Sequence, residues 1–328
     1  MGRVVRWIVR IVVSLALLLG VLWLFGPREP MISEAAFDPT TVDDDLDAWL
    51  TAREARFPDI RPGAQKRIVW RGAPGTRTPL AVVYVHGFSA DAEEIRPVPD
   101  RVASALGANL FFTRLTGHGR TDGAAMAEPD MGDWMTDIAE AMEIGRRLGD
   151  RVLLITTSTG GTLAVAGAFD PEIGRDLAGV ALVSPNFGPA DPMADLATWP
   201  LARQWVPLLA GAERSWEPLN PEQGDHWNTR YPTTAVLPMM ALVKYVRGLD
   251  LGDLRVPAFF VYSPDDQVVD AARTDAAYAA WAGPKGRIQP RLEGRTADPF
   301  AHVIAGDILS PDLTDEVAVA VTVWAGGL

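Results

Sequence analysis

The sequence predicts an α/β protein with a mostly parallel central sheet, and three observations carry that prediction. Apolar runs without polar alternation recur at 80–86, 109–115, 151–156, 179–184 and 258–262, as strands buried on both faces require. Between them lie segments with helical spacing, most clearly 131–148, where Trp134, Ile138, Ala141, Met142 and Leu148 share one face. Such alternation builds a parallel sheet whose ligand site lies at the carboxyl ends of the strands. Residues suited to chemistry fall at three of those ends: Phe88, the loop around His118, and Ser158.

The amino terminus stands apart. Arg3, Arg6 and Arg10 precede an uncharged run over 11–26, with Trp7 at one end and Trp23 and Phe25 near the other. With Arg10 snorkelling, the span from Trp7 to Phe25 approaches the roughly 20 residues a bilayer requires. No small-x-small cleavage pattern stands between Leu19 and Pro30, which favours an uncleaved anchor over a signal peptide. Arginines on the amino side keep that end in the cytoplasm and place the rest beyond the inner membrane. The alternative is a secreted or periplasmic protein released by cleavage.

The chain has 328 residues, a formal charge of −12 and a pI near 4.8, which argues against a nucleic-acid partner. It contains no cysteine, so disulfides and thiol catalysis are excluded. Four scattered histidines offer no ligand cluster at zinc spacing, and no metal or cofactor is implied. Nothing in the sequence fixes an oligomeric state.

Past the apolar segment, Thr41 and the acids Asp43, Asp44 and Asp45 resemble a helix start, followed by an apolar face of Leu46, Trp49 and Leu50 that docks on the main body. Strands are expected at 65–70 and 80–86. The second ends in His86-Gly87-Phe88, where Gly87 lets the chain turn so that the Phe88 N–H can serve as an oxyanion donor. A helix over 95–106 and a strand over 109–115 lead into Thr116-Gly117-His118-Gly119, a tight loop in which His118 is read as a local hydrogen-bonding element. The central stretch is 151–168, RVLLITTSTGGTLAVAGA. A short strand runs through a sharp turn at Ser158 into a small, apolar helix, which is the setting of a nucleophile elbow, with the Thr159 N–H as the other oxyanion donor. Thr156 stands where the elbow usually has a glycine.

After 179–184 the strand–helix rhythm lapses. Residues 185–248 hold nine prolines and tryptophans at 199, 205, 216 and 227, too broken for an independent domain, and end in a helix over 234–246 that includes Met240. A further strand at 258–262 runs into SPDDQVVD, where Asp265, Asp266 and Asp270 compete to orient a histidine. A helix over 271–281, a strand over 287–292 and a helix over 314–324 complete the pattern, with His302 in the last loop.

The set HGF, LTGHG, TTSTGG, SPDDQVV and AHVI, in that order and spacing, resembles the α/β-hydrolase superfamily, specifically bacterial esterases and lysophospholipase-like or monoacylglycerol-lipase-like members. The resemblance covers 65 to the carboxyl terminus and implies the α/β-hydrolase fold with a helical cap. It implies a core in two parts (65–184 and 249–328) around a cap (185–248), preceded by the membrane anchor (1–27) and the linker and docking helix (28–64) read above. The family's acid stands three residues before a valine, which selects Asp266, and the order Ser158, Asp266, His302 is that of this fold. The resemblance therefore implies a serine hydrolase of carboxylic esters: His302 as base, Asp266 as its partner, Phe88 and Thr159 as oxyanion donors. An aromatic cap suits a hydrophobic or lipid-like ester, with Trp199, Trp205, Trp227 and Met240 as substrate-binding candidates. His226 is assigned to the cap surface. Two alternatives share the fold: acyl transfer by the same triad, and a non-catalytic membrane-anchored binding protein.

Overall fold

The computed structural model describes residues 2–328. In chain order it contains α1 (Gly2–Phe25), α2 (Leu46–Glu54), β1 (Arg67–Val69), β2 (Thr78–Val85), α3 (Val98–Leu106), β3 (Asn109–Phe112), α4 (Met131–Leu148), β4 (Gly149–Thr157), α5 (Thr159–Phe169) and β5 (Leu177–Val183). It continues through α6 (Ala202–Ala210), β6 (Glu213–Ser215), α7 (Pro221–His226), β7 (Arg230–Pro232), α8 (Val236–Arg247), β8 (Ala258–Val261), α9 (Ala271–Ala280), β9 (Lys285–Ile288) and α10 (Pro311–Ala325).

Seven strands form one sheet in the order β1-β3-β2-β4-β5-β8-β9. Only β1 is antiparallel; every other neighbouring pair is parallel. The apolar runs have the expected physical cause, because successive residues point into two different cores. Ala81, Val83 and Val85 join Val152 and Leu154 in the core under α4, α5 and α8, whereas Val82 and Tyr84 join Leu153 and Ile155 in the core under α3 and α10. Burial on both sides leaves no solvated face on which polar residues could alternate.

The elements depart from expectation in places. The last strand lies at Lys285–Ile288 rather than 287–292, because it pairs in register with β8 from Ala258 onward and Pro290 then denies the ladder a donor. The last helix begins at Pro311, three residues early, with Pro at its first turn, where the missing N–H costs nothing. Asp45, not Thr41, caps α2, accepting the Ala48 N–H at 3.0 Å. Leu46, Trp49 and Leu50 are buried in the first core, and Glu54 holds Arg114 bidentately at 2.8 and 2.9 Å.

Residues 185–248 carry α6, α7, α8, the two-stranded ribbon β6–β7 and a 3-10 turn at Pro192–Thr198. Their own apolar cluster is small: Ala197, Ala202, Val206, Leu237 and Met240. Helix α1 has no buried residue and is long and apolar enough to cross a membrane or to act as a signal sequence.

Candidate active site

The site forms where β2, β4, β5 and β8 end. At the end of β4, Ser158 adopts φ 51° and ψ −117°, a left-handed-φ geometry that a serine occupies only when its surroundings force it. Those surroundings are visible. The Ser158 N–H donates to the Val183 carbonyl at 2.9 Å, and its own carbonyl accepts from Gly161 at 2.9 Å and from Asn186 at 3.1 Å. A Cβ at Gly160 would strike the carbonyl oxygens of Val85 and His86, so the helix can approach β2 only with glycine there. Thr156 fits in place of the usual first glycine because its hydroxyl donates to the Ala181 carbonyl at 2.9 Å, and Gly161 leaves room beside it. The Ser158 side chain does not cap α5, so its hydroxyl remains available for chemistry.

Of the three competing acids, only Asp266 reaches a histidine. Its Oδ2 lies 2.8 Å from His302 Nδ1, and its Oδ1 accepts the N–H groups of Val268 and Val269 at 2.8 and 2.9 Å. Asp270 instead caps α9 through Ala272, and Asp265 is exposed. The bond to Asp266 assigns the proton of the neutral imidazole to Nδ1, which leaves Nε2 as the basic nitrogen. Asp298 holds the loop by accepting the N–H groups of His302 and Val303 at 3.2 and 2.9 Å, and Ser184 donates to the His302 carbonyl at 2.6 Å. Burial alone would depress the His302 pKa. The hydrogen bond to Asp266 and the charges of Asp266, Glu94 and Asp298 outweigh it, leaving the pKa above its ordinary value of 6.5. No hydrogen bond joins Ser158 to His302 among the described residues; the closed pair is His302–Asp266.

Phe88 follows the turn after β2, and its ring packs edge-on against His118 and Tyr231, at 5.6 and 5.5 Å between centroids. Thr159 opens α5 and is fully buried. His118 is a local hydrogen-bonding element: its Nδ1 contacts the Thr116 carbonyl at 3.1 Å, and burial pushes its pKa well down. His86 is likewise a neutral strut, accepting the Leu115 N–H at 3.1 Å, its pKa pushed by burial to about 4.

The four substrate-binding candidates fall in different surroundings. Trp199 is half exposed and meets Trp23 of α1 edge-on at 5.1 Å. Trp205 donates to the Pro200 carbonyl at 2.9 Å, and it and Met240 pack in the small cluster of 185–248. Trp227 is buried in the core beneath α3 and α10. Packing within the protein accounts for Trp205, Trp227 and Met240, so the structure does not gather the four into one substrate surface. His226, assigned to the surface, is paired with fully buried Asp91 at 3.2 Å. Two residues escaped sequence reasoning: Glu94, only 2% exposed, and Tyr84, which donates to it at 2.9 Å. A lone phenol inside the otherwise aliphatic run VVYV was the available signal, since a buried tyrosine hydroxyl needs a partner.

A parallel sheet with helices on both faces, a serine at the strand–helix elbow and a histidine–aspartate pair beyond later strands define an α/β-hydrolase. The serine aminopeptidase S33 family matches residues 77–290, and the chain belongs to it. No curated protein matches. Among solved structures, one described for LipS and LipT, metagenome-derived lipolytic enzymes, is similar with a TM-score of 0.64 and 21% identity, covering 82% of this chain and 100% of that one. A monoglyceride lipase variant from Saccharomyces cerevisiae gives 0.60 at 13% identity, covering 90% and 98%. A monoacylglycerol lipase from Paleococcus ferrophilus gives 0.56 at 15%, covering 80% and 98%. At these identities the likeness establishes the fold. No three of His, Asp and Glu gather as a metal site among the described residues.

Proposed function

We propose that this hydrolase cleaves carboxylic esters of hydrophobic or lipid-like acids through Ser158, His302 and Asp266. One observation carries the proposal: the 2.8 Å His302–Asp266 bond, from loops 36 residues apart in sequence, in a chain whose Ser158 is held in elbow geometry. His302 Nε2 takes the Ser158 proton as Oγ attacks the ester carbonyl, and Asp266 stabilises the imidazolium. The N–H groups of Phe88 and Thr159 receive the oxyanion. The imidazolium then protonates the departing alcohol, and water, activated by the same base, releases the acid from the acyl-enzyme.

Residues 185–248 act as the cap over this site. Support for hydrophobic substrates comes from the apolar cap and from the lipases and esterases of like fold. Helix α1 anchors the chain in the inner membrane with its arginines in the cytoplasm, and the Trp23–Trp199 contact sets the cap beside that anchor.

A fluorophosphonate probe and a p-nitrophenyl ester series test the proposal together. Labelling at Ser158, lost in Ser158→Ala, with turnover favouring medium or long acyl chains, is the expected result. Preference for acetyl would remove the lipid-like substrate. Faster cleavage of aminoacyl p-nitroanilides than of any ester would move the activity to the peptidase in the family's description. Transfer to added alcohol in place of hydrolysis would identify an acyltransferase.

A further inference from the structure

We propose that Glu94 is a positioning residue that ties the two arms of the oxyanion hole together, linking the backbone before Phe88 to the backbone before Ser158. The inference rests on the hydrolase function proposed above.

The geometry is a three-residue chain. Glu94 Oε2 accepts the Gly87 N–H at 2.7 Å and the Tyr84 hydroxyl at 2.9 Å. The Tyr84 oxygen in turn lies 3.0 Å from Thr157 Oγ1. A phenol has one proton, and Tyr84 gives it to the carboxylate, so Thr157 is the donor in the last link. Gly87 immediately precedes Phe88, and Thr157 immediately precedes Ser158 and its neighbour Thr159. Both proposed donors therefore sit one or two residues from an atom held by this chain. Glycine at 87 is part of the same fit: a Cβ there would lie 2.7 Å from Glu94 Oε1 and 3.1 Å from Ser158 Cβ. The carboxyl thus stands just behind the nucleophile, with a single glycine Cα between them.

A buried carboxyl is costly, and this protein retains one where a neutral acceptor could also bond Gly87. Burial raises the Glu94 pKa to about 7, although its bonds from Gly87 and Tyr84 and the nearby His302 favour the charged form. The titratable groups facing Glu94 are Tyr84 from β2, Asp91 from its own loop and His302 from the loop before α10; those facing His302 are Asp266, Glu94 and Asp298. Ionised Glu94 favours the imidazolium, so its charge lifts the His302 pKa while its Oε2 fixes the backbone. The two effects are separable by substitution.

Glu94→Ala, Glu94→Gln and Tyr84→Phe are compared in the full-length protein, with rates expressed per Ser158 titrated by fluorophosphonate. A trifluoromethyl ketone, whose adduct carries an oxyanion, reports on the hole directly. Loss of the tie in Glu94→Ala should lower kcat by ~10²-fold with KM nearly constant and weaken the ketone in parallel, the cost of a misplaced group. Tyr84→Phe, which keeps the Gly87 bond and fills the same space, should lose several-fold in both. Glu94→Gln retains an acceptor and should recover most of kcat, while the acid limb of its kcat/KM profile moves to lower pH. Unchanged kcat and ketone affinity per titrated serine in Glu94→Ala and Tyr84→Phe, with only the melting temperature lowered, would overturn the role. If the unsubstituted protein neither labels at Ser158 nor hydrolyses esters, the hydrolase function falls, and this role falls with it.

Discussion

The central sheet and residues 185–248 are held in different ways. The sheet and its helices are fixed by burial: β2, β4, β5 and β8 have almost no residue that touches water near the site, and two large apolar clusters flank them. Segment 185–248 has a small cluster of its own; Phe187, Leu242 and Val246 tie it into one core cluster and Trp227 into the other, and polar contacts around Asn228 add to that hold. The Asn228 N–H donates to the Ser89 carbonyl at 2.7 Å, and Asn228 Nδ2 to the Arg120 carbonyl at 3.1 Å. Arg61 donates to the Trp227 carbonyl at 2.8 Å and to Asn228 Oδ1 at 2.9 Å. Apolar burial is non-directional and must be lost wholesale, whereas a handful of hydrogen bonds, each worth ~1 kcal/mol net, can open together. The sheet is therefore held almost wholly by burial, and 185–248 by a mixture of burial at Phe187, Trp227, Leu242 and Val246 and hydrogen bonds around Asn228. Ser158 and His302 are only 6% and 7% exposed.

The sharpest way to break this contrast is at the elbow. Ser158→Ala should lower kcat by ~10⁶-fold and Asp266→Asn by ~10⁴-fold, with melting temperatures little changed, in ester turnover and thermal unfolding assays. Gly160→Ala tests the core as packing. Its methyl would meet the carbonyls of Val85 and His86, and a loss of ~3 kcal/mol or more in denaturant titration is expected.

pH separates catalysis from stability at one residue. Because the His302 pKa is raised above 6.5, kcat/KM should climb through a midpoint above 6.5 as the imidazolium loses its proton. The stabilising contribution of the same group runs the other way: fully present below 6.5, it is lost as pH rises through the folded value. A rate midpoint below 6.5 would show that Asp266 and Glu94 do not outweigh burial.

The smallest effect is expected in the cover. Asn228→Ala, which leaves Arg61 one partner short, should cost ~1–3 kcal/mol and alter kcat/KM more than kcat. A larger loss of kcat than of stability would mean that the cover shapes the transition state directly.

The same contrast explains what was legible in the sequence. Strands buried on both faces leave an unmistakable mark, so the runs ending near Phe88, Ser158 and Asp266 could be placed from residue type alone. Their ends were less certain because ladder register depends on the neighbouring strand, as β9 shows. In 185–248, prolines announced interruption but not outcome: Pro207 lies inside α6, and Trp205 and Trp227 pack within the protein while Trp199 is half exposed. Apolar side chains look alike in sequence whether they face a ligand or a core. Glu94 escaped notice for a related reason: in DAEEIR it resembles any solvated acid, and only the third dimension puts Tyr84 and Gly87 against it.

Phe88 belongs to both halves at once. Its main chain borders the nucleophile while its ring rests edge-on against Tyr231, which lies in the cover at the end of the Asn228 fastening. Under the proposed function, a shift of Tyr231 would withdraw a wall from beside the Phe88 peptide, so the fit of one aromatic pair couples the ribbon β6–β7 to the chemistry.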